Sequence, residues 1–175
     1  MKMKIKFISI LVLFFFANCS FSQQNEIKDN NYKFKISMPS KLVKTKTEET
    51  DKKDAISYSF KTNDGKMFVM VLAFKLTTIK NLADLIYTIE KDLSLNIPKR
   101  TSEYSDYDFG AYDGRSAVYK NTESAETLYY FRTKNEILSD NYAYVLRFIS
   151  PASQFNSSIE SDIKSIADSF KYPSE

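Results

Sequence analysis

Between Ala55 and Leu76 two β-rich runs face each other across Asn63-Asp64-Gly65, and the second, Met67 to Phe74, is apolar without a break. A strand with one wet face alternates, so this run predicts a strand buried on both faces, at the centre of a covered sheet. The first run keeps a partial alternation, with Ile56, Tyr58 and Phe60 on one side and Ser57, Ser59 and Lys61 on the other, which places it nearer an edge. The Asp-Gly pair supplies the positive φ that tight hairpins need. Upstream, Tyr32, Phe34, Ile36 and Met38 alternate with Lys33, Lys35 and Ser37, a half-buried strand stopped by Pro39. Residues 23–31 are polar and read as a flexible leader. Lys41 to Asp54 mixes Lys, Thr and acids and reads as a solvated connection or a short edge strand, in preference to a charged binding loop.

Downstream the period changes. Asn81 caps a predicted helix in which Leu82, Leu85, Ile86, Ile89 and Leu93 recur at spacings of three and four, ended by Pro98. Strands follow at Glu103 to Phe109, Arg115 to Asn121, Thr127 to Lys134 and Tyr142 to Ile149, with turns at Tyr112-Asp113-Gly114 and Ser139-Asp140-Asn141. In the last strand Arg147 interrupts a covered pattern and is expected to reach the sheet's rim or a carboxylate, since Arg is rarely buried unpaired. Pro151 opens a second predicted helix with Phe155, Ile159, Ile163, Ile166 and Phe170 on one stripe.

The first 22 residues stand outside this pattern. Lys2, Lys4 and Lys6 precede an apolar core from Phe7 to Ala17, too short to span a bilayer and the right length for a secretory signal. Small residues at Ser20 and Ser22 favour cleavage before Gln23; the alternative is a lipoprotein anchored through Cys19, where Asn18 stands in place of the small residue that lipidation prefers. Cleavage takes three lysines and no acid, leaving 22 basic and 22 acidic residues. A neutral exported domain has no electrostatic footprint for nucleic acid or an anionic membrane surface. It also has no disulfide, because Cys19 is the chain's one cysteine. The expected division is a signal peptide over 1–22, the leader over 23–31 and one globular domain over 32–172, with no transmembrane helix in the mature chain.

The order of elements resembles the PsbP-like family. It is carried by the Tyr32-to-Met38 strand ending at Pro39, the long hairpin, the middle helix, the Asp113-Gly114 turn, and the closing helix ending Ile166-Ala167-Asp168-Ser169-Phe170-Lys171. The resemblance implies an α+β fold, an antiparallel sheet covered by helices on both faces as an α/β/α sandwich. It also implies a non-enzymatic accessory or binding role.

Absences narrow the chemistry. With no His anywhere and no Cys in the mature domain, Ser/His/Asp and Cys/His triads, the usual zinc sites and His-ligated haem are excluded. Three glycines cannot write a phosphate-cradling loop or a dinucleotide fingerprint. Ser161-x-x-Lys164 with Ser139-Asp140-Asn141 is similar to the motifs of penicillin-recognising serine enzymes, but the order is reversed and Lys-Thr-Gly is missing. Asp106-x-Asp108-x-Gly110 has the oxygens of a calcium loop, yet the twelfth residue is Ala117 where a Glu is required. Asn156-Ser157-Ser158 is a formal sequon lying in the predicted helix. What remains is Glu103 to Gly114, where tyrosines interleave with acids; Tyr104, Asp106, Tyr107, Asp108, Tyr112 and Asp113 form the candidate partner surface. The sequence therefore reads as an exported, periplasmic or secreted binding or accessory domain without a cofactor, meeting an envelope protein or a small ligand. The alternative is a hydrolase using only carboxylate, Ser, Lys or Tyr groups.

Overall fold

A computed structural model describes residues 24–75, 81–134 and 141–173; the expected signal peptide lies outside them, as does most of the Ser139-Asp140-Asn141 turn. The hairpin read first from the sequence is present: β4 (Ala55–Thr62) pairs antiparallel with β5 (Phe68–Lys75), and Gly65 takes φ +70° in the turn, where Lβ-carbons are disfavoured. Around it the chain lays out β3 (Leu42–Glu49), β6 (Ser105–Phe109), β7 (Tyr112–Lys120), β8 (Ser124–Thr133) and β9 (Tyr142–Pro151). All join one antiparallel sheet in the order β3-β4-β5-β9-β8-β7-β6. The edges are thus β3, mostly exposed and bulged between Lys44 and Lys46, and β6.

One face carries the larger core. Helix α2 (Ser157–Asp168) lies there beside a second, two-stranded sheet of β1 (Gln24–Asp29) and β2 (Phe34–Pro39). Phe34, Ile36 and Met38 from β2 and Ile163, Ile166 and Phe170 from the helix and its tail meet Val69, Val71, Phe131, Tyr144 and Leu146 of the large sheet. Ser169 and Lys171 fasten the two covering elements together. Ser37 N–H donates to Ser169 Oγ at 3.0 Å, and Lys35 and Lys171 exchange backbone hydrogen bonds of 2.8 and 2.9 Å. The opposite face carries α1 (Leu82–Lys91), whose Leu85, Ile86 and Ile89 cover Leu128, Tyr130, Ala143 and Val145.

Several expectations need correction. Helices do not cover both faces of a sandwich: about half of the described residues are strand, and they include only two α-helices. The reason is dimensional, since seven strands spaced by ~4.8 Å span about 29 Å, whereas a helix is only ~10–12 Å across. The covered faces are shared with a β-hairpin on one side and left half open on the other. Consequently β5 is buried on one face, through Val69, Val71 and Ala73, while Phe68, Met70, Leu72 and Phe74 are only half-buried. Residues 24–29 of the expected leader are strand β1, in full register with β2 from Gln24↔Pro39 to Asp29↔Phe34. Helix α1 stops at Lys91, and Leu93 is 93% exposed in a 3₁₀ turn. Pro151 ends β9, and α2 is instead capped by Asn156, whose Oδ1 accepts from Ser158 N–H and Ile159 N–H. The β6–β7 turn falls at Gly110, φ +48°, while position 114 lies inside β7 and is glycine because a Cβ there would come to 2.6 Å from the Phe131 ring.

Candidate functional site

The sequence-predicted surface lies on the β6 edge, and its two residue types part company there. The carboxylates face water: Asp106, Asp108 and Asp113 are 84%, 78% and 66% exposed. Asp106 accepts from Arg115 Nε at 3.0 Å. Asp108 stands directly opposite Asp113, and Lys134 relieves that like-charge pairing by donating to Asp108 at 2.7 Å, with Asp113 at 3.8 Å. The bond to Asp108 also raises the Lys134 pKa. The tyrosines are turned inward. Tyr104 donates to Glu90 of α1 at 2.7 Å under the Arg100 guanidinium, and Tyr107 packs edge-on to Tyr129 and donates to Asp168 of α2 at 3.1 Å. These two half-buried rings tie a helix on each face to the edge of the sheet. Tyr112 leaves the surface altogether: it is fully buried, and its hydroxyl donates to the Lys33 carbonyl at 2.7 Å. Alternation decides this, since Tyr112 shares the face of Phe131 and Tyr144, under α2.

Two further phenol clusters organise the ends of the sheet. Tyr144 donates to the Tyr32 carbonyl at 2.8 Å, so two buried hydroxyls hold the β1–β2 turn where Lys33 adopts φ +55°. Asp29 completes that turn, accepting from Asn31 N–H, Tyr32 N–H and the Tyr58 hydroxyl. Burial, then the hydrogen bond that its hydroxyl donates to the Glu49 carboxylate, pushes Tyr32 up to about 12. On the other face Tyr119 donates to Glu90 at 2.5 Å and meets Tyr130 at 2.9 Å; burial first raises both phenols. These phenols are pinned as neutral donors and are poor bases near neutral pH.

Concave surface lies elsewhere. A cleft of about 430 Å³ opens between the β4–β5 turn and the first turns of α2, lined by Lys41, Thr62, Asn63, Asp64, Lys66, Met67, Ser158, Ile159 and Asp162. Met67 is buried at its base. Its rim carries two ion pairs: Lys41 with Asp162 across elements, and Lys66 with Asp64 at 2.9 Å inside the turn. Hydrogen bonds from Thr62 and then Lys66 hold the Asp64 carboxyl well below the usual carboxylate range. A smaller hollow of about 200 Å³ opens over Ser57, Leu72 and Phe74 on the half-open face. Sequence reasoning placed the turn correctly but missed the cleft, because Asp162 and Ile159 enter it from nearly a hundred residues away.

The remaining motifs do not converge. Lys164 pairs with Asp168, and Ser139 and Asp140 lie outside the described residues. Among the described residues no three His, Cys, Asp or Glu side chains are grouped to hold a metal ion, and no helix is long and apolar enough to cross a membrane.

No protein-family model matches the sequence, and no curated protein matches it either. Solved structures do share the fold. The crystal structure of LpqN, involved in cell envelope biogenesis of Mycobacterium tuberculosis, aligns with TM-score 0.52 at 10% identity, covering 85% of this chain and 90% of that one. The Saccharomyces cerevisiae Ran-binding protein Mog1p aligns with TM-score 0.51 at 8% identity, covering 87% and 96%. Both share a fold with PsbP-like proteins, so the resemblance read from the sequence stands at the level of fold and not of family membership.

Proposed function

We propose that the protein is an exported, non-enzymatic binding or accessory domain that works in the cell envelope through contacts with a protein or a small ligand. The observation that carries this reading is the cleft beside α2. It offers recognition groups of both signs over an apolar base, and hydrogen bonds from Thr62 and Lys66 hold its Asp64 carboxyl below the usual carboxylate range, which makes it a weak proton acceptor. The fold shared with a protein involved in cell envelope biogenesis and with a Ran-binding protein agrees with it. For a protein partner, the exposed Asp106, Asp108 and Asp113 beside the rims of Tyr104 and Tyr107 form the contact surface, without Tyr112.

The test is equilibrium binding set against turnover. The purified protein is incubated with chromogenic ester, phosphate, glycoside and peptide substrates, and separately with small ligands followed by thermal shift. Saturable shifts without turnover are expected; hydrolysis abolished by Asp64→Asn would replace this reading with that of a carboxylate-dependent hydrolase. Export is tested by mass spectrometry of the mature protein, expected to begin at Gln23 without lipid. A diacylglyceryl-modified Cys19 at the N-terminus would make it an anchored lipoprotein instead.

A further inference from the structure

The charges around the cleft beside α2 sum to zero, and their arrangement specifies more than neutrality. Lys41 and Asp162 come from the β2–β3 turn and from α2, while Lys66 and Asp64 belong to the β4–β5 turn, so two ammonium groups and two carboxylates stand around one opening. All four side chains are substantially exposed, and water screens exposed pairs so that they hold one another weakly. Such pairs open readily for a ligand that replaces what each partner loses. A simple anion taken up by Lys41 leaves Asp162 unpaired beside it, and a simple cation taken up by Asp162 strands Lys41. A molecule bearing both charges exchanges one ion pair for two and strands nothing. Ile159, half-buried over Met67, then offers apolar surface to whatever joins the two charges. The cleft's volume of about 430 Å³ falls at the lower end of the range of small-molecule sites, about 300–1,000 Å³.

From this geometry we infer that the cleft binds a small zwitterion with an apolar body, an apolar amino acid or dipeptide. The α-ammonium lies against Asp162, the carboxylate against Lys41, and the side chains over Ile159 and the buried Met67 beneath it. The inference rests on the reading of the protein as a binding domain and gives that reading its ligand class.

The experiment is calorimetric titration of the purified protein with Leu-Leu, with N-acetyl-Leu-Leu, which keeps only the negative charge, and with Leu-leucinamide, which keeps only the positive one. Leu-Leu is expected to bind saturably, and each capped form about fivefold more weakly or worse, the loss of one exposed ion pair. The double variant Lys41→Met with Asp162→Asn removes both partners and is expected to bind Leu-Leu more weakly than the parent binds either capped form, with an unchanged melting temperature because the pair is exposed. Capped forms binding within about twofold of Leu-Leu overturn the zwitterion and leave the binding domain standing. So does a double variant that binds like the parent, or an absence of saturable heat from Leu-Leu. Release of free leucine during the titration overturns both the inference and the non-enzymatic reading beneath it.

Discussion

Arg147 and Glu126 face each other on the α1 side of the sheet, 7% and 3% exposed, with Nε to Oε2 at 2.7 Å and Nη2 to Oε1 at 3.0 Å. The bidentate fit satisfies both charges, which is the condition under which a buried pair is tolerated. Removing one partner strands the other, so Glu126→Ala is expected to cost about 3–5 kcal/mol in urea unfolding, and Glu126→Leu with Arg147→Met to recover most of it. A single-variant loss below about 1 kcal/mol would mean that water reaches the pair. The carboxylate partner expected for Arg147 was legible because Arg interrupts an apolar strand. Which acid it meets was not, since Glu126 lies 21 residues away and register alone brings it across. The Ser169-Phe170-Lys171 signature has a comparable physical content: one residue bonds β2, the next fills the core, and the third pairs with Lys35.

At the scale of elements, the strands with apolar alternation and the Asn81-capped helix were readable because their periods follow from burial on one face. Strand β1 was not. Its Gln-Asn-Glu-Ile-Lys-Asp has a single apolar side chain, so its order comes from backbone pairing with β2 and from the Asp29 turn. The apolar run of β5 predicted two covered faces, but composition does not say how wide the covering element is, and α1 reaches only part of that face. Glycine was ambiguous in the same way: Gly110 serves φ, Gly114 serves a close approach to Phe131. The docking of α2 turns on Phe170, fully buried and stacked at 4.9 Å on Phe131, with Tyr144 at 5.0 Å and Phe34 at 5.7 Å. Phe170→Ala is expected to lower unfolding stability by about 3–5 kcal/mol. A loss below about 1 kcal/mol would show that the helix tail does not seat in this core.

For the whole molecule, the phenols set the response to pH. Burial, the leading cause at each, raises Tyr32, Tyr58, Tyr119, Tyr129, Tyr130 and Tyr144 from the ordinary value of 10.0. A raised phenol favours the neutral form in the folded state, so its stabilisation is complete below pH 10 and is lost as pH climbs above it, where only the unfolded chain ionises freely. Melting temperature should therefore change little on this account from pH 7 to 9 and fall steeply above pH 10, with these six phenols adding their tyrosinate absorbance at 295 nm only as the fold is lost. Free ionisation of these tyrosines near pH 10 in the intact fold would contradict the buried phenol clusters. The central functional claim is that the cleft between the β4–β5 turn and α2 receives a ligand and returns it unchanged. Amide chemical-shift mapping of the labelled protein against a panel of amino acids, dipeptides, simple acids and simple amines tests this most directly. The expected result is a saturable response concentrated at Lys66, Met67, Ser158 and Ile159, with the ligand recovered intact; responses confined to other surfaces, or a ligand converted to products, would contradict it.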